Sequence, residues 1–226
     1  MPLVLENIVF LYFITKWKQF IMKKIFLIGG GEINKKETIK IDKDIIKKSG
    51  GNTSRILFFP TAAKDSDEYI KNFIKYFSFL GCNNIQWAKM GESLREIKEK
   101  IKEADLIYLG GGKTNFLIKA FKQKGLTRYL QNFLNRGGVL AGVSAGAMAL
   151  GEISIISEIE NDLKFASGFG ILPQIICFPH YQKKYKNKLH QLKMQFPNKL
   201  IIGIPEKSAV YIKGQKIIYY GQCYKL

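Results

Sequence analysis

The stretch Gly138-Val139-Leu140-Ala141-Gly142-Val143-Ser144-Ala145-Gly146-Ala147-Met148-Ala149-Leu150 decides the architecture. Its first half is a short apolar run bounded by glycines, which reads as a buried strand. Its second half is built from small helix formers. Between them, Gly142-Val143-Ser144-Ala145-Gly146 matches GxSxG. Strand, sharp turn and helix in that order are what a nucleophile elbow requires. Glycines on either side of Ser144 remove side chains that would block the turn. The helix start behind Ser144 lends positive partial charge, and the Ala145 N–H can donate to a developing oxyanion.

Working outward, the same alternation recurs. Ile25–Ile28, Arg55–Pro60, Asn84–Ala88 and Asp105–Leu109 read as strands. Glu37–Lys48, Ser66–Leu80, Ser93–Ala104, Asn115–Gln123 and Thr127–Asn135 carry helical spacing or helix-former composition between and after them. This rhythm predicts an α/β fold, three layers deep, with a mostly parallel sheet covered by helices on both faces. Past Gly151 the pattern is weaker. Residues 152–174 read as loops or short strands, Gln174–Phe178 as a strand and Lys183–Phe196 as a helix. Leu200–Ile204, Ser208–Lys213 and Lys216–Tyr220 read as strands, the last two joined through Gly214-Gln215 as a hairpin.

The chain has 226 residues, enough for one domain with a core that needs no staples. Residues 1–21 form an expected extension outside the core, and residues 22–226 a single domain. The uncharged run Asn7–Thr15 is too short to span a bilayer, and the start lacks the pattern of a secretory signal. Cys82, Cys177 and Cys223 have no metal or disulfide spacing, so a reduced, cytoplasmic protein without metal or cofactor is expected. The formal charge is +18, but only Arg55, Arg95, Arg128 and Arg136 are arginines. The lysines that supply the rest are spread along the chain. That distribution argues against nucleic-acid recognition, which favours clustered basic residues and bidentate arginine.

Three glycine clusters fall at strand ends, where open α/β sheets bind ligands. Gly29-Gly30-Gly31 is not a dinucleotide fingerprint, because GxGxxG needs a glycine where Asn34 stands. Gly110-Gly111-Gly112-Lys113-Thr114 resembles the end of a P-loop, but the required first glycine is Ile107, inside the strand. The better reading is a sharp turn that exposes backbone N–H groups to an oxyanion.

A serine nucleophile needs a base. Of the two histidines, His190 lies within an expected surface helix, whereas His180 follows a strand in Cys177-Phe178-Pro179-His180-Tyr181. His180 is therefore the candidate base. The acid that would orient it is either Asp162 or Glu206, and side-chain chemistry alone does not choose between them.

Four segments, Tyr108–Leu117 (YLGGGKTNFL), Gly142–Leu150 (GVSAGAMAL), Cys177–Tyr181 (CFPHY) and Ile201–Val210 (IIGIPEKSAV), together resemble the dipeptidase E and cyanophycinase-like serine peptidases. The resemblance runs from about Lys23 to the C-terminus. It implies a flavodoxin-like, class I glutamine amidotransferase-like fold, with Ser144 as nucleophile, His180 as base and the Gly112 and Ala145 amides as oxyanion hole. Asn161-Asp162 resembles the acid of the dipeptidase E branch with shifted spacing. Glu206 matches that of the cyanophycinase branch without gaps and is preferred, with Asp162 second. The implied reaction is hydrolysis of small peptides through an acyl-enzyme, with no cofactor or metal. Self-association as a homodimer is left open. Two other readings are an α/β-hydrolase-type esterase, which shares GxSxG but would need an oxyanion motif missing here, and a non-catalytic basic binding protein.

Overall fold

The computed structural model describes residues 23–159 and 162–226. The extension expected over residues 1–21 lies outside them. Strand β1 (Lys24–Ile28) leads to helix α1 (Ile39–Ser49). Then come β2 (Ile56–Phe59), α2 (Asp67–Phe79), β3 (Ile85–Trp87), α3 (Leu94–Glu103) and β4 (Leu106–Leu109). Two successive helices, α4 (Thr114–Gln123) and α5 (Thr127–Asn135), precede β5 (Val139–Val143) and the short helix α6 (Ala145–Ala149). The remainder is β6 (Ile153–Ile159), β7 (Asp162–Ser167), β8 (Ile175–Pro179), α7 (Lys186–Gln195), β9 (Leu200–Ile204), β10 (Ala209–Lys213), β11 (Lys216–Tyr220) and β12 (Tyr224–Lys225).

The main sheet has the order β11-β10-β1-β5-β4-β2-β3. Its five strands from β1 to β3 are mutually parallel, and the β10–β11 hairpin adds antiparallel to β1. A smaller sheet, β12-β9-β8, carries the segment that ends in His180. Alternate residues of the main strands feed opposite cores, because successive strand side chains point to opposite faces. Phe26, Phe58, Tyr108 and Ala141 face α1 and α2. Leu27, Leu57, Ile107 and Leu140 face α3, α4 and α5. Both faces are therefore dry, which explains why the strands read as continuous apolar runs rather than as alternating ones.

Local signals end the helices where composition suggested. Ser93 caps α3 in a reciprocal capping box with Glu96. Ser66 accepts the Tyr69 N–H at the start of α2. The Lys183–Phe196 helix is shorter than its pattern: Lys183–Tyr185 is a 3-10 turn and α7 starts at Lys186. The ambiguous 152–174 segment contains the β6–β7 hairpin, with a register shift between Ile155 and Ser157. Such a shift breaks the strict alternation by which a strand is recognised in sequence.

Candidate active site

The parallel strands β1, β4 and β5 end side by side, and each ends in a turn that needs glycine. At the end of β5, Ser144 has φ 52° and ψ −109°, a conformation that is strained for any residue but glycine. The Ser144 N–H donates to the Ile28 carbonyl of β1 at 2.9 Å, which ties the elbow to the neighbouring strand. The flanking glycines are sterically required. A Cβ on Gly142 would lie 2.7 Å from the Ala147 nitrogen, and one on Gly146 would lie 2.9 Å from the Leu109 carbonyl carbon. Helix α6 has only five residues, so the positive charge behind Ser144 is that of a few free N–H groups and not of a long macrodipole.

His180 also has a positive φ, 53°. Its N–H donates to the Gly29 carbonyl at 3.0 Å, and the next N–H, of Tyr181, donates to Ile204 at 3.1 Å. These bonds hold the end of β8 between β1 and β9. They bring the imidazole Nε2 to 2.7 Å from Ser144 Oγ. On the other side of the ring, Nδ1 pairs with Glu206 Oε1. Glu206 follows β9, and the next residue, Lys207, donates its N–H to the Gly30 carbonyl at 3.1 Å. The His180 and Glu206 side chains are about half exposed, 50% and 49%, so the pair is open to a substrate. With its proton on Nδ1, a neutral imidazole donates to the carboxylate and leaves Nε2 to accept the serine hydroxyl.

The structure thus brings together Ser144, His180 and Glu206. Asp162 opens β7, opposite Ile159 in the β6–β7 hairpin, and its side chain lies outside the described part. His190 lies in α7 and lines a separate cleft with Tyr224 and Leu226.

The Gly110–Lys113 turn is pinned on three amides. Gly110 donates to Phe59, Lys113 donates to Ala62 at 2.7 Å, and Gly111 donates to the Tyr69 hydroxyl at 3.2 Å. Gly112 has φ 137° and packs against the Ala62 peptide so tightly that any side chain would overlap it. Neither the Gly112 nor the Ala145 N–H has an acceptor among the described residues. Gly111 sits against the elbow, where a Cβ would be 3.5 Å from Ser144 Cβ.

Sequence reasoning flagged Gly29-Gly30-Gly31 only to reject a dinucleotide site. In the structure this triplet is the seat of the His–Glu pair. The carbonyls of Gly29 and Gly30 anchor residues 180 and 207, and Gly30 has no Cβ to displace the imidazole or the carboxylate. The signal was a glycine cluster at a strand end, but its partners lie 150 residues or more away in sequence.

Next to His180 opens a cleft of about 630 Å³, walled by Phe116, Met148, Ile155, Phe178 and Tyr185, with Lys113 and Lys119 also lining it. No carboxylate lines it among the described residues. The described residues hold no group of three or more His, Cys, Asp or Glu arranged to bind a metal ion. None of their helices is long and apolar enough to cross a membrane.

The profile of peptidase family S51 matches residues 25–220. The chain belongs to this family. It is 32% identical over 174 residues to the uncharacterized peptidase YgaJ of Bacillus subtilis, covering 76% of this chain and 75% of that one. It is 25% identical over 211 residues to peptidase E of Haemophilus influenzae, covering 85% and 93%. The crystal structure of a peptidase from an acI-B1 Actinobacterium superposes with a TM-score of 0.68 at 22% identity, over 91% of this chain and 97% of that one. This S51 member is accordingly a peptidase with the fold that its strand rhythm predicted, and its substrate is a peptide.

Proposed function

We propose that the chain is a serine peptidase that cleaves small peptides through a Ser144–His180–Glu206 triad and an acyl-enzyme. The observation that carries this reading is the 2.7 Å approach of Ser144 Oγ to His180 Nε2, with Glu206 on the far side of the ring. Ser144 Oγ attacks the peptide carbonyl carbon as its proton passes to Nε2. The new imidazolium is stabilised by Glu206. The carbonyl oxygen takes up negative charge and is met by the free N–H groups of Gly112 and Ala145. As the tetrahedral intermediate collapses, the C–N bond breaks and Nε2 gives its proton to the leaving amine. Water, deprotonated by the same nitrogen, then attacks the ester and restores Ser144.

The cleft beside His180 would receive the peptide. Its volume suits a few residues and not a folded chain. Its walls are mainly apolar, and among the described residues Lys113 and Lys119 are its only lysine or arginine side chains, which favours a peptide that carries a carboxylate near the scissile bond.

The test is hydrolysis of a panel of di- and tripeptides, with matched esters, by the wild-type protein and by Ser144→Ala and His180→Asn. The proposal expects amide turnover that both substitutions abolish. Turnover of esters alone would favour an esterase, and peptide turnover that survives Ser144→Ala would refute the triad.

A further inference from the structure

We infer that Tyr69 is a positioning residue for the oxyanion hole: its hydroxyl, by accepting the Gly111 N–H, fixes the turn in which Gly112 presents its own N–H. The inference rests on the proposed role of Gly112.

Glycine-rich turns are mobile by nature, because each glycine adopts many backbone conformations. A donor that stabilises a transition state must instead be preorganised. Three successive glycines, Gly110, Gly111 and Gly112, therefore need an external restraint. The neighbouring backbone supplies two, through the Phe59 carbonyl to Gly110 and the Ala62 carbonyl to Lys113. The remaining restraint on an amide comes from a side chain, the Tyr69 hydroxyl at 3.2 Å from the Gly111 nitrogen. With Gly110, Gly111 and Lys113 satisfied, Gly112 is the one amide of the turn without a protein acceptor among the described residues.

Tyr69 is itself held firmly. Its ring meets Phe58 edge-on at a centroid distance of 5.0 Å, and Phe58 stacks on Phe73 of the same helix. It also packs under the turn, where a Cβ on Gly110 would lie 2.9 Å from Tyr69 Cε1. Burial raises the phenol above its usual range, so the hydroxyl stays neutral. Helix α2 thus reaches the Gly110–Lys113 turn through the Tyr69 ring, which packs beneath Gly110, and through its hydroxyl, which accepts the Gly111 N–H.

The experiment uses the full chain and a fluorophosphonate probe, whose phosphoryl oxygen mimics the tetrahedral intermediate. Tyr69→Phe removes the hydroxyl and keeps the ring. The maximal rate of Ser144 phosphonylation should fall between about tenfold and a hundredfold, with the concentration for half-maximal rate unchanged. The control is Tyr76→Phe, on the same helix, whose hydroxyl bonds Asp42 instead of the turn. It should lower thermal stability without slowing phosphonylation. Amide exchange on the wild-type protein needs no variant to fold. It should find Gly111 protected, and Gly112 protected only after the adduct forms. Tyr69→Phe reacting at the wild-type rate, or Gly111 exchanging as fast as Gly112, would overturn the inference and leave the triad standing. A wild-type protein whose Ser144 does not react would overturn both.

Discussion

Gly30 lies directly against Glu206: a Cβ at position 30 would overlap the Glu206 carboxylate and come within 2.7 Å of His180 Cε1. The end of the first strand is therefore shaped around a pair of side chains supplied by the last third of the chain. Gly30→Ala should displace the carboxylate from the ring while leaving most of the fold intact. A loss of about a hundredfold in kcat is expected, with KM little changed, because the imidazole is misplaced only at the reacting end. Steady-state kinetics on a peptide found in the hydrolysis panel, alongside thermal unfolding, checks this.

The choice of acid is open to a direct comparison. Glu206→Gln keeps the shape of the side chain but removes the charge that steadies the imidazolium, and should lower kcat by about 10³-fold. Asp162→Asn should stay within about twofold of wild type. The reverse ranking would move the third member of the triad to the β6–β7 hairpin.

Asp42 gives the fold a pH dependence unrelated to catalysis. It is buried under Thr38 and Tyr76, whose hydroxyls both donate to Oδ2, while Oδ1 is buried without a partner. Burial pushes its carboxyl up from 3.8 to about 6, against the opposing pull of those two donors. The folded state thus holds this proton more tightly than the unfolded chain does. Stability from Asp42 is complete below about pH 4 and is lost as pH rises to about 6, a change of about 3 kcal/mol. Asp42→Asn should flatten that slope and raise stability at neutral pH relative to wild type. Chemical denaturation from pH 4 to 7.5 on both proteins measures the difference.

The cleft lysines make a separate prediction. Replacing Lys113 and Lys119 by Gln should lower kcat/KM for peptides with an acidic side chain by about three- to tenfold, and should have little effect on neutral peptides. The same preference should weaken as salt is added to the wild-type enzyme. Equal losses on both peptide classes would show that the lysines support the cleft without selecting its ligand.

How much of this was legible beforehand follows from the range of the interactions. The parallel strands were readable because burial on both faces makes them unbroken apolar runs, as in Ile56–Phe59 and Leu106–Leu109. Ser144 was readable because GxSxG is local, and His180 because few histidines competed. Glu206 could be singled out only by resemblance, since nothing within a few residues of it reports the His180 ring. The service of Gly29 and Gly30 to that pair, and of Tyr69 to Gly111, was not visible, because each contact joins elements far apart in the chain. Strand β12 was missed for a different reason: two residues are too few to show a period, and it exists because β9 offers an edge at Ile202 and Gly203.

The most direct test of the account is to treat the protein with a fluorophosphonate and locate the adduct by mass spectrometry. One modification is predicted, on the Ser144 peptide, absent in Ser144→Ala and much slower in His180→Ala. A preparation that hydrolyses peptides yet takes up no label at Ser144 would contradict it.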